Sequence, residues 1–254
     1  MKMYNNILVT ATNSPYYSSL LTLISNVHKD SLEVVDRIFV FNLGLEENEI
    51  NYLNTLKNVE VLKFPSNATE LHSKFLEPKS YIYKIYCMKN ASSLGHNVLW
   101  LDSGACPLKS IKEIYDKIEN EEIFLVGDVH INRNFTHSEC VECVSATESE
   151  LSDNQLWAGL VGYKSNGKYQ QLFDDAYAFS LIEGCLDGNQ ENHRHDQSIL
   201  SILASRYGCS KQEIDIYGYW TDSSRNLEGA KSIGSVIFAH RRGHDDKSSL
   251  MFKD

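Results

Sequence analysis

The sequence predicts a single α/β domain with a mixed, mostly parallel central sheet flanked by helices. Short β-rich apolar runs alternate with helical segments of about ten to fifteen residues, which is typical of βαβ units. The run Val98–Leu101 carries no polar residue, as expected of a central strand that is covered on both faces. No internal repeat, low-complexity tract or linker interrupts the 254 residues. We therefore expect one domain over residues 1–254.

The first half of the chain alternates strands and helices. The run Ile7–Thr12 is apolar and rich in β-branched residues, and it predicts the first strand. Ser14 and Pro15 then predict a helix start, with Ser14 as N-cap and Pro15 as the first helical residue, because proline has no hydrogen bond to lose there. Further strands are predicted at 37–42, 59–64 and 97–101, and apolar residues at helical spacing predict helices at 17–27, 50–56 and 78–95.

The second half is less regular. The acidic, polar segment 132–154 predicts a long loop or lid. It contains Cys140 and Cys143 with His137 three residues earlier, which is half of a zinc-ligand set. No second cysteine pair follows, so reduced, unpaired cysteines are the favoured interpretation. Strands are predicted at 123–126, 157–163 and 235–239, and helices at 111–118, 169–182 and 196–207.

Charge and composition exclude several partners. The chain carries 24 Lys and Arg against 34 Asp and Glu, a net charge of −10. We expect no nucleic-acid partner, because binding a phosphate backbone needs a dense basic surface; a local basic pocket for one nucleotide stays open. A spanning helix needs about 20 consecutive apolar residues, and no such run occurs. No signal peptide is recognisable either, so we expect a cytoplasmic protein without an integral membrane segment.

Three polar clusters follow predicted strands, and ligands bind beyond the carboxyl ends of the strands in an open α/β sheet. Asp102 directly follows an apolar strand, where a carboxylate is costly unless it meets a metal, a cation or hydrogen-bond donors. His240 stands in the same relation to the last strand, so this carboxylate and imidazole form a candidate divalent-metal site. The alternatives are a turn cap for Asp102 and a surface histidine for His240. The three clusters are 10–14, 102–104 and 240–242.

Six short segments follow one another in a definite order along the chain. They are Val9–Asn13, Lys79 with Lys84, Leu99–Ala105, Trp157–Gly162, His195–Ser198 and Phe238–Gly243. This order resembles that of the GT-A glycosyltransferases, in particular the glycogenin-like and lipopolysaccharide galactosyltransferase-like enzymes of glycosyltransferase family eight. The resemblance covers most of the chain, whereas each segment alone is a weak motif.

The resemblance implies a GT-A, Rossmann-like domain with a nucleotide-binding half at 1–105 and an acceptor-binding half at 106–254. It implies transfer of a hexose from a nucleotide-diphosphate sugar to a hydroxyl of a glycan or lipid-linked acceptor, with Mn²⁺ or Mg²⁺ as cofactor. The departing diphosphate gains negative charge, which a metal ion or basic residues must stabilise.

The resemblance also implies roles for residues. Asp102, Asp196 and Gln197 would be catalytic, and Asp102 and His240 would hold the metal. For Asp196 the alternative is a helix N-cap. The residues expected to bind the nucleotide sugar are Thr10, Ala11, Thr12, Asn13, Lys79, Lys84, Ser103, Gly104, Arg241 and Arg242, and those expected to bind the acceptor are Trp157 and Gly159.

One residue departs from the resemblance. Gly104 stands where the second acidic residue of an Asp-x-Asp motif is expected. A metal ion would lose one protein carboxylate there, so we expect weaker Mn²⁺ binding. A metal-free reaction, in which basic residues neutralise the diphosphate, stays open. Because carboxylate and imidazole both suit manganese, the metal-dependent reaction is the favoured prediction.

Other function classes compete with the transferase. Gly104 supports a degenerate module that binds a nucleotide sugar or glycan without turnover, and release of nucleoside diphosphate would separate the two. A sugar nucleotidyltransferase is disfavoured, because the segment 13–16 after the first strand lacks the glycines of a phosphate-binding loop. A dinucleotide-dependent dehydrogenase is disfavoured in the same way, because no G-x-G-x-x-G sequence follows the first strand.

Overall fold

The chain alternates strands and helices in the computed structural model, which describes residues 3–189 and 191–253. The strands are β1 (Tyr4–Thr12), β2 (Arg37–Asn42), β3 (Val59–Leu62), β4 (Gly95–Leu101), β5 (Ala105–Pro107), β6 (Ile123–Ile131), β7 (Asn154–Lys164), β8 (Gly218–Trp220) and β9 (Ile237–Ala239). The helices are α1 (Tyr17–Asp30), α2 (Glu47–Thr55), α3 (Ala68–Leu71), α4 (Ile82–Ala91), α5 (Lys112–Glu121), α6 (Ser138–Cys143), α7 (Glu148–Ser152), α8 (Gln170–Ser180), α9 (Asp196–Arg206) and α10 (Leu227–Ser232). Short 3₁₀ segments at Ser14–Tyr16 and Asn132–Phe135 precede α1 and α6. None of the described helices combines the length and apolarity needed to cross a bilayer.

The large sheet has six strands in the order β3-β2-β1-β4-β7-β6. β1 pairs in parallel with β2 and β4, and β2 pairs in parallel with β3. β7 runs antiparallel to both β4 and β6. These pairings confirm the predicted α/β fold with a mixed, mostly parallel central sheet.

Two hydrophobic clusters cover the two faces of the large sheet. On β4, Val98 and Trp100 belong to the cluster that includes α4, α8 and α9, whereas Leu99 and Leu101 belong to the cluster with α1 and α5. Successive side chains of a strand point to opposite faces. Both faces of β4 are therefore covered by helices, which explains its uninterrupted apolar run.

A second, three-stranded sheet with the order β5-β9-β8 follows the end of β4. β9 is antiparallel to β5 and parallel to β8. The Arg241 N–H donates to the Gly104 carbonyl at 2.7 Å, which ties the segment after β9 to the turn after β4. The sequence predicts β9, because this strand lies in the longer apolar run 236–239. It does not predict β5 and β8, whose three residues each are too few to show a periodic pattern.

Two predicted helix starts are wrong. Asn13, not Ser14, precedes the first helical turn, and the Ser14 hydroxyl instead donates to a carboxylate of α2 at 2.6 Å. The helix predicted from Pro78 begins only at Ile82, because the chain first passes through Tyr81 in a left-handed conformation.

The prediction of a long loop or lid at 132–154 is also wrong. This segment forms α6 and α7, and α6 carries Cys140 into the hydrophobic core. Glu150 of α7, whose side chain is 9% exposed, accepts from the Arg206 guanidinium of α9 at 2.7 and 3.1 Å. The buried ion pair and the apolar contacts of Cys140 hold the segment against the rest of the domain. All six cysteines of the chain are unpaired.

Candidate functional site

A cavity of about 660 Å³ opens at the carboxyl ends of β1 and β4. The first turns of α4 and α9, strands β6 and β7 and the end of β9 form its other walls. Parallel strands bring their carboxyl ends to one edge of a sheet, which is where ligands bind in open α/β folds. The cavity has the size of a small-molecule site.

Most of the residues that the sequence assigns to the site line this cavity. They are Ala11, Thr12, Asn13, Lys79, Lys84, Asp102, Ser103, Gly104, Trp157, Gly159, Asp196, Gln197 and Arg241. Thr10 lies one residue deeper in β1 and is fully buried. The Arg242 guanidinium stacks on the ring of Tyr16, itself a lining residue, at 4.7 Å. His240 is buried and is not among the lining residues.

Lys84 lies at the centre of the charged residues. Its ammonium is 3.0 Å from Asp102 Oδ1 and 3.0 Å from Asp196 Oδ2, and its side chain is only 4% exposed. The ammonium also lies 5.7 Å from the centre of the Trp100 ring. The Trp100 indole N–H donates to the same Asp102 oxygen at 2.8 Å. One buried cation thus joins the residue after β4 to the first residue of α9.

The two carboxylates decide the charge of Lys84. Burial by itself would lower the pKa of Lys84, but Asp102 and Asp196 outweigh burial and raise this pKa above its usual value. Burial also raises the pKa of the Asp196 carboxyl, and the nearby Lys84 opposes that effect. Lys84 is therefore charged at neutral pH.

A residue with a positive φ angle stands directly before each of the helices that carry Lys84 and Asp196. Tyr81 precedes α4 with a φ of 59°, and His195 precedes α9 with a φ of 51°. Their rings stack with centroids 5.2 Å apart, and both line the cavity. Left-handed backbone at a residue other than glycine costs about 1 kcal/mol or more and persists only where packing enforces it. Since His195 holds the N-cap position of α9, the capping alternative for Asp196 is wrong.

Gln197 anchors a polar network on the wall formed by β6 and β7. Its amide donates to Gln155 Oε1 at 2.9 Å and to Asp128 Oδ2 at 3.3 Å. Its oxygen accepts from the Ala158 N–H at 3.3 Å. Asp128 also lies 2.7 Å from His130 Nδ1, and both residues line the cavity. Sequence reasoning misses Asp128 and His130, although their two-residue spacing on a strand was the signal that places both on one face.

Two tryptophans form an aromatic wall of the cavity. Trp157 and Trp220 both line it, with ring centroids 6.4 Å apart. The Trp157 indole packs against Gly159 and Gly218, where a Cβ atom would come within 2.6 and 2.5 Å of the ring. The Arg225 guanidinium lies 4.8 Å from the centre of the Trp220 ring. Such flat faces with a polar N–H suit a ligand that has both apolar and polar edges.

Three cations at or beside the cavity have no carboxylate partner within the described ranges 3–189 and 191–253. Lys79 and Arg241 line the cavity with exposed side chains. Arg242 is exposed as well and stacks on the lining residue Tyr16. Cations without a carboxylate partner are available for charge-assisted hydrogen bonds to a phosphate group.

The predicted metal ligands, Asp102 and His240, differ in their surroundings. Asp102 faces the cavity, but its Oδ1 already accepts from Trp100 and Lys84. His240 is 1% exposed, neither ring nitrogen has a hydrogen-bond partner among the described residues, and burial together with His244 lowers its pKa to about 4. In the part of the chain that the structure describes, no group of three or more His, Cys, Asp or Glu side chains is arranged to hold a metal ion. The roles of Asp102 and His240 as metal ligands, and the need for Mn²⁺, therefore stay predictions.

Packing explains why residue 104 is glycine. A Cβ atom at Gly104 would lie 2.9 Å from the Arg241 carbonyl oxygen and 3.0 Å from the Arg241 Cα. Backbone, rather than the end of a mobile side chain, fills this space. An aspartate at position 104 would therefore displace the segment after β9, so the departure from Asp-x-Asp is part of how the small sheet packs.

Sequence comparisons leave the family open. No family model matches the chain. The chain is 20% identical over 235 residues to a fructose-1,6-bisphosphatase class 3 of Staphylococcus epidermidis, an alignment that covers 82% of this chain and 33% of that protein. The chain thus spans a third of that curated relative, and an identity this low does not show a family.

Solved structures of glycosyltransferases are similar over nearly the whole chain. The apo structure of the bifunctional glycosyltransferase WbbM is similar over 97% of this chain and 47% of that chain, with a TM-score of 0.62 and 12% identity. An active-site mutant of LgtC is similar over 96% of this chain and 90% of its own, with a TM-score of 0.58 and 12% identity. The galactosyltransferase LgtC with donor and acceptor sugar analogues has the same coverage, a TM-score of 0.56 and 11% identity. The chain therefore spans about half of the WbbM chain. It has the GT-A fold of glycosyltransferases, as the order of the six short sequence segments predicts.

Proposed function

We propose that this protein is a glycosyltransferase that moves a hexose from a nucleotide-diphosphate sugar to a hydroxyl of a glycan or lipid-linked acceptor. The observation that carries the proposal is a single cavity that brings together carboxylates, cations without carboxylate partners and an aromatic wall. A GT-A fold alone does not imply an activity. The proposal rests on charges suited to a diphosphate and on apolar surface suited to a sugar, which this reaction requires together.

The cations of the cavity support a diphosphate donor. Lys79 and Arg241 line it without a carboxylate partner in the described chain, and charge-assisted hydrogen bonds from such groups are the strong ones. The neighbouring wall, 11–13 at the end of β1, is where the nucleoside part would lie. Ser103 and Gly104, in the turn after β4, would contact the diphosphate.

The carboxylate and amide near α9 support transfer of the sugar. In the reaction, the acceptor oxygen bonds to the anomeric carbon as the bond to the diphosphate breaks. The electron pair of the broken bond leaves with the diphosphate, which also takes up the hydroxyl proton. The sugar passes through a positively charged state that a nearby carboxylate or amide oxygen stabilises, the role proposed for Asp196 and Gln197. Trp157 and Gly159 would contact the acceptor.

A module that binds the donor without turnover is the second candidate, and Gly104 favours it. This glycine removes an acidic side chain from the turn after β4, and the Arg241 backbone fills the space. Both candidates bind the nucleotide sugar. Only the enzyme releases nucleoside diphosphate.

A panel of nucleoside diphosphates and their sugars, each with and without Mn²⁺, tests the proposal. A ligand that binds only the folded state raises Tm by mass action, so the cognate donor should raise Tm even when turnover is slow. Release of nucleoside diphosphate with an acceptor mixture then measures turnover. Asp196→Asn should lower release about a hundredfold, as loss of one preorganised group in an active site does. Asp116→Asn, an exposed residue of α5, is the matched control.

The outcomes of this panel are distinct. No Tm shift with any nucleotide would contradict the proposed function. A shift without release of nucleoside diphosphate would indicate the binding module instead.

A further inference from the structure

We propose that Lys84 and the exposed cations beside it, rather than a divalent metal ion, supply the positive charge of the donor site. This inference rests on the proposed function and goes further, because it names the group that meets the diphosphate charge. Three features of the described residues support it: the ion pairs of Lys84, the packing at Gly104 and the position of His240.

Lys84 already acts as the counter-ion of the two site carboxylates. Its ammonium lies 3.0 Å from one oxygen of Asp102 and 3.0 Å from one oxygen of Asp196, with the side chain almost fully buried. A divalent ion bound to Asp102 would stand close to this ammonium, and the two positive charges would repel each other. Displacing Lys84 would leave Asp196 as a buried carboxylate without a partner, which is costly.

The turn after β4 offers one carboxylate and places a cationic residue where a second carboxylate is expected. The Arg241 backbone lies where a side chain of residue 104 would begin, at 2.9 Å from the Cβ position. The Arg241 N–H donates to the Gly104 carbonyl at 2.7 Å, which holds that residue beside the turn. Arg241 itself lines the cavity. The small sheet therefore leaves no room for an acidic side chain at position 104 and adds a basic residue to the cavity lining.

His240 does not complete a metal site with Asp102. Its ring is buried near the rings of Phe238 and His244, with centroids 6.3 and 5.6 Å away. Its neighbours Ala239 and Arg241 line the cavity, whereas His240 is not among the lining residues. An imidazole that does not face the cavity is not placed to share an ion with Asp102.

Exposed cations supply the charge that a diphosphate needs. The Lys84 ammonium is almost fully buried and already paired with Asp102 and Asp196, so exposed cations must add to its charge. Lys79 and Arg241 in the lining, and Arg242 beside it, have no carboxylate partner in the described chain. An arginine presents a planar fork that suits bidentate hydrogen bonds to phosphate oxygens. These charges belong to the protein, so they persist when divalent ions are chelated.

Calorimetric titration with the nucleoside diphosphate that the panel selects, in chelator and in Mn²⁺, tests the inference. We expect the two Kd values to agree within about threefold, which corresponds to a small difference in binding free energy. A loss of affinity of about tenfold or more on chelation would overturn the inference and leave the proposed function intact. If no nucleotide binds in either buffer, the proposed function fails and the inference fails with it.

Variants of Lys84 and Arg241 test which cations contribute to binding of the nucleoside diphosphate. Lys84→Met should weaken binding of the nucleoside diphosphate in chelator about tenfold or more, and Mn²⁺ should not restore the affinity. Lys84→Arg keeps the positive charge, so it should retain more affinity than Lys84→Met. Because Lys84→Met leaves the buried Asp196 carboxylate without its cation and can unfold the protein, Arg241→Gln at an exposed side chain is the second variant. Its expected loss of affinity is about five- to tenfold. Lys89→Met is the matched control, since Lys89 lies on the same helix and contacts Tyr177 instead. Recovery of Lys84→Met by Mn²⁺, or full affinity of Arg241→Gln, would contradict the inference.

Discussion

Gly218→Ala tests how the aromatic wall of the cavity is held. Gly218 is the first residue of β8, and a Cβ atom there would lie 2.5 Å from Cζ3 and 2.6 Å from Cε3 of Trp157. Another edge of the same indole packs as closely against Gly159, where a Cβ atom would lie 2.6 Å from Cε2 and Cζ2. The indole is therefore held at two edges, and a methyl group at position 218 would push it out of this position toward the cavity that it lines.

The expected size of the effect follows from this overpacking. Extra methyl groups in a well-packed region cost about 1 to 3 kcal/mol of unfolding free energy. In a domain of this size each kcal/mol lowers Tm by about 2 to 4 °C, so we expect Gly218→Ala to lower Tm by about 2 to 12 °C. Gly127→Ala is the matched control, because the nearest atom to its added Cβ is 3.5 Å away, an ordinary contact.

Urea unfolding followed by circular dichroism measures the change in unfolding free energy. Trp157→Phe removes the ring carbons that the added methyl group would meet. The double variant Gly218→Ala with Trp157→Phe should therefore recover part of the loss, with a coupling of about 1 kcal/mol. Equal stability of Gly218→Ala and Gly127→Ala, or strictly additive effects in the double variant, would refute this account of Trp157.

Two further predictions concern a buried histidine and a buried ion pair. Burial, with a smaller contribution from neighbouring histidines, lowers the pKa of His193 to about 4. The unfolded state therefore binds a proton first as the pH falls, and the unfolding free energy should drop between about pH 6.5 and 4, by up to about 1.4 kcal/mol per pH unit. In urea titrations, His193→Gln should reduce the change of unfolding free energy with pH, whereas the control His96→Gln, at an exposed histidine, should not. An unchanged pH dependence in His193→Gln would contradict the attribution to His193. Arg206→Met should lower the unfolding free energy by about 2 to 3 kcal/mol, because it leaves the buried Glu150 carboxylate without its cation. Lys231→Met is the control and should leave stability unchanged, because the carboxylate partner of Lys231 is 81% exposed. Equal losses of unfolding free energy in the two variants would show that the pair of Arg206 with Glu150 does not hold α7.

Periodicity along the chain predicts most of the regular elements. The apolar run at 98–101 predicts a covered strand because all its side chains are apolar, and β4 does lie between β1 and β7. Periodic patterns involve residues close in sequence, so they fail for the three-residue strands β5 and β8. They also fail for 132–154, whose helices are held by a pair between Glu150 and Arg206 of α9.

The strand-end rule predicts much of the cavity lining. Thr12, Asp102 and Arg241 come from distant parts of the chain, yet each lies at or just after the end of a strand. Asp128 and His130 are missed because β6 continues to Ile131, beyond the strand predicted at 123–126, and their two-residue spacing has meaning only on a strand.

Local sequence patterns account for the α/β class, for most of the longer strands and helices, and for the polar residues that follow three of the strands, because strand and helix preferences depend on residues close in the chain. The ion pairs of Lys84 with Asp102 and Asp196 arise from how α4 and α9 pack beside the end of β4. No neighbour of Lys84 in the sequence indicates these partners. In a buried, low-dielectric setting the strength of such pairs depends on distances that only the assembled fold defines.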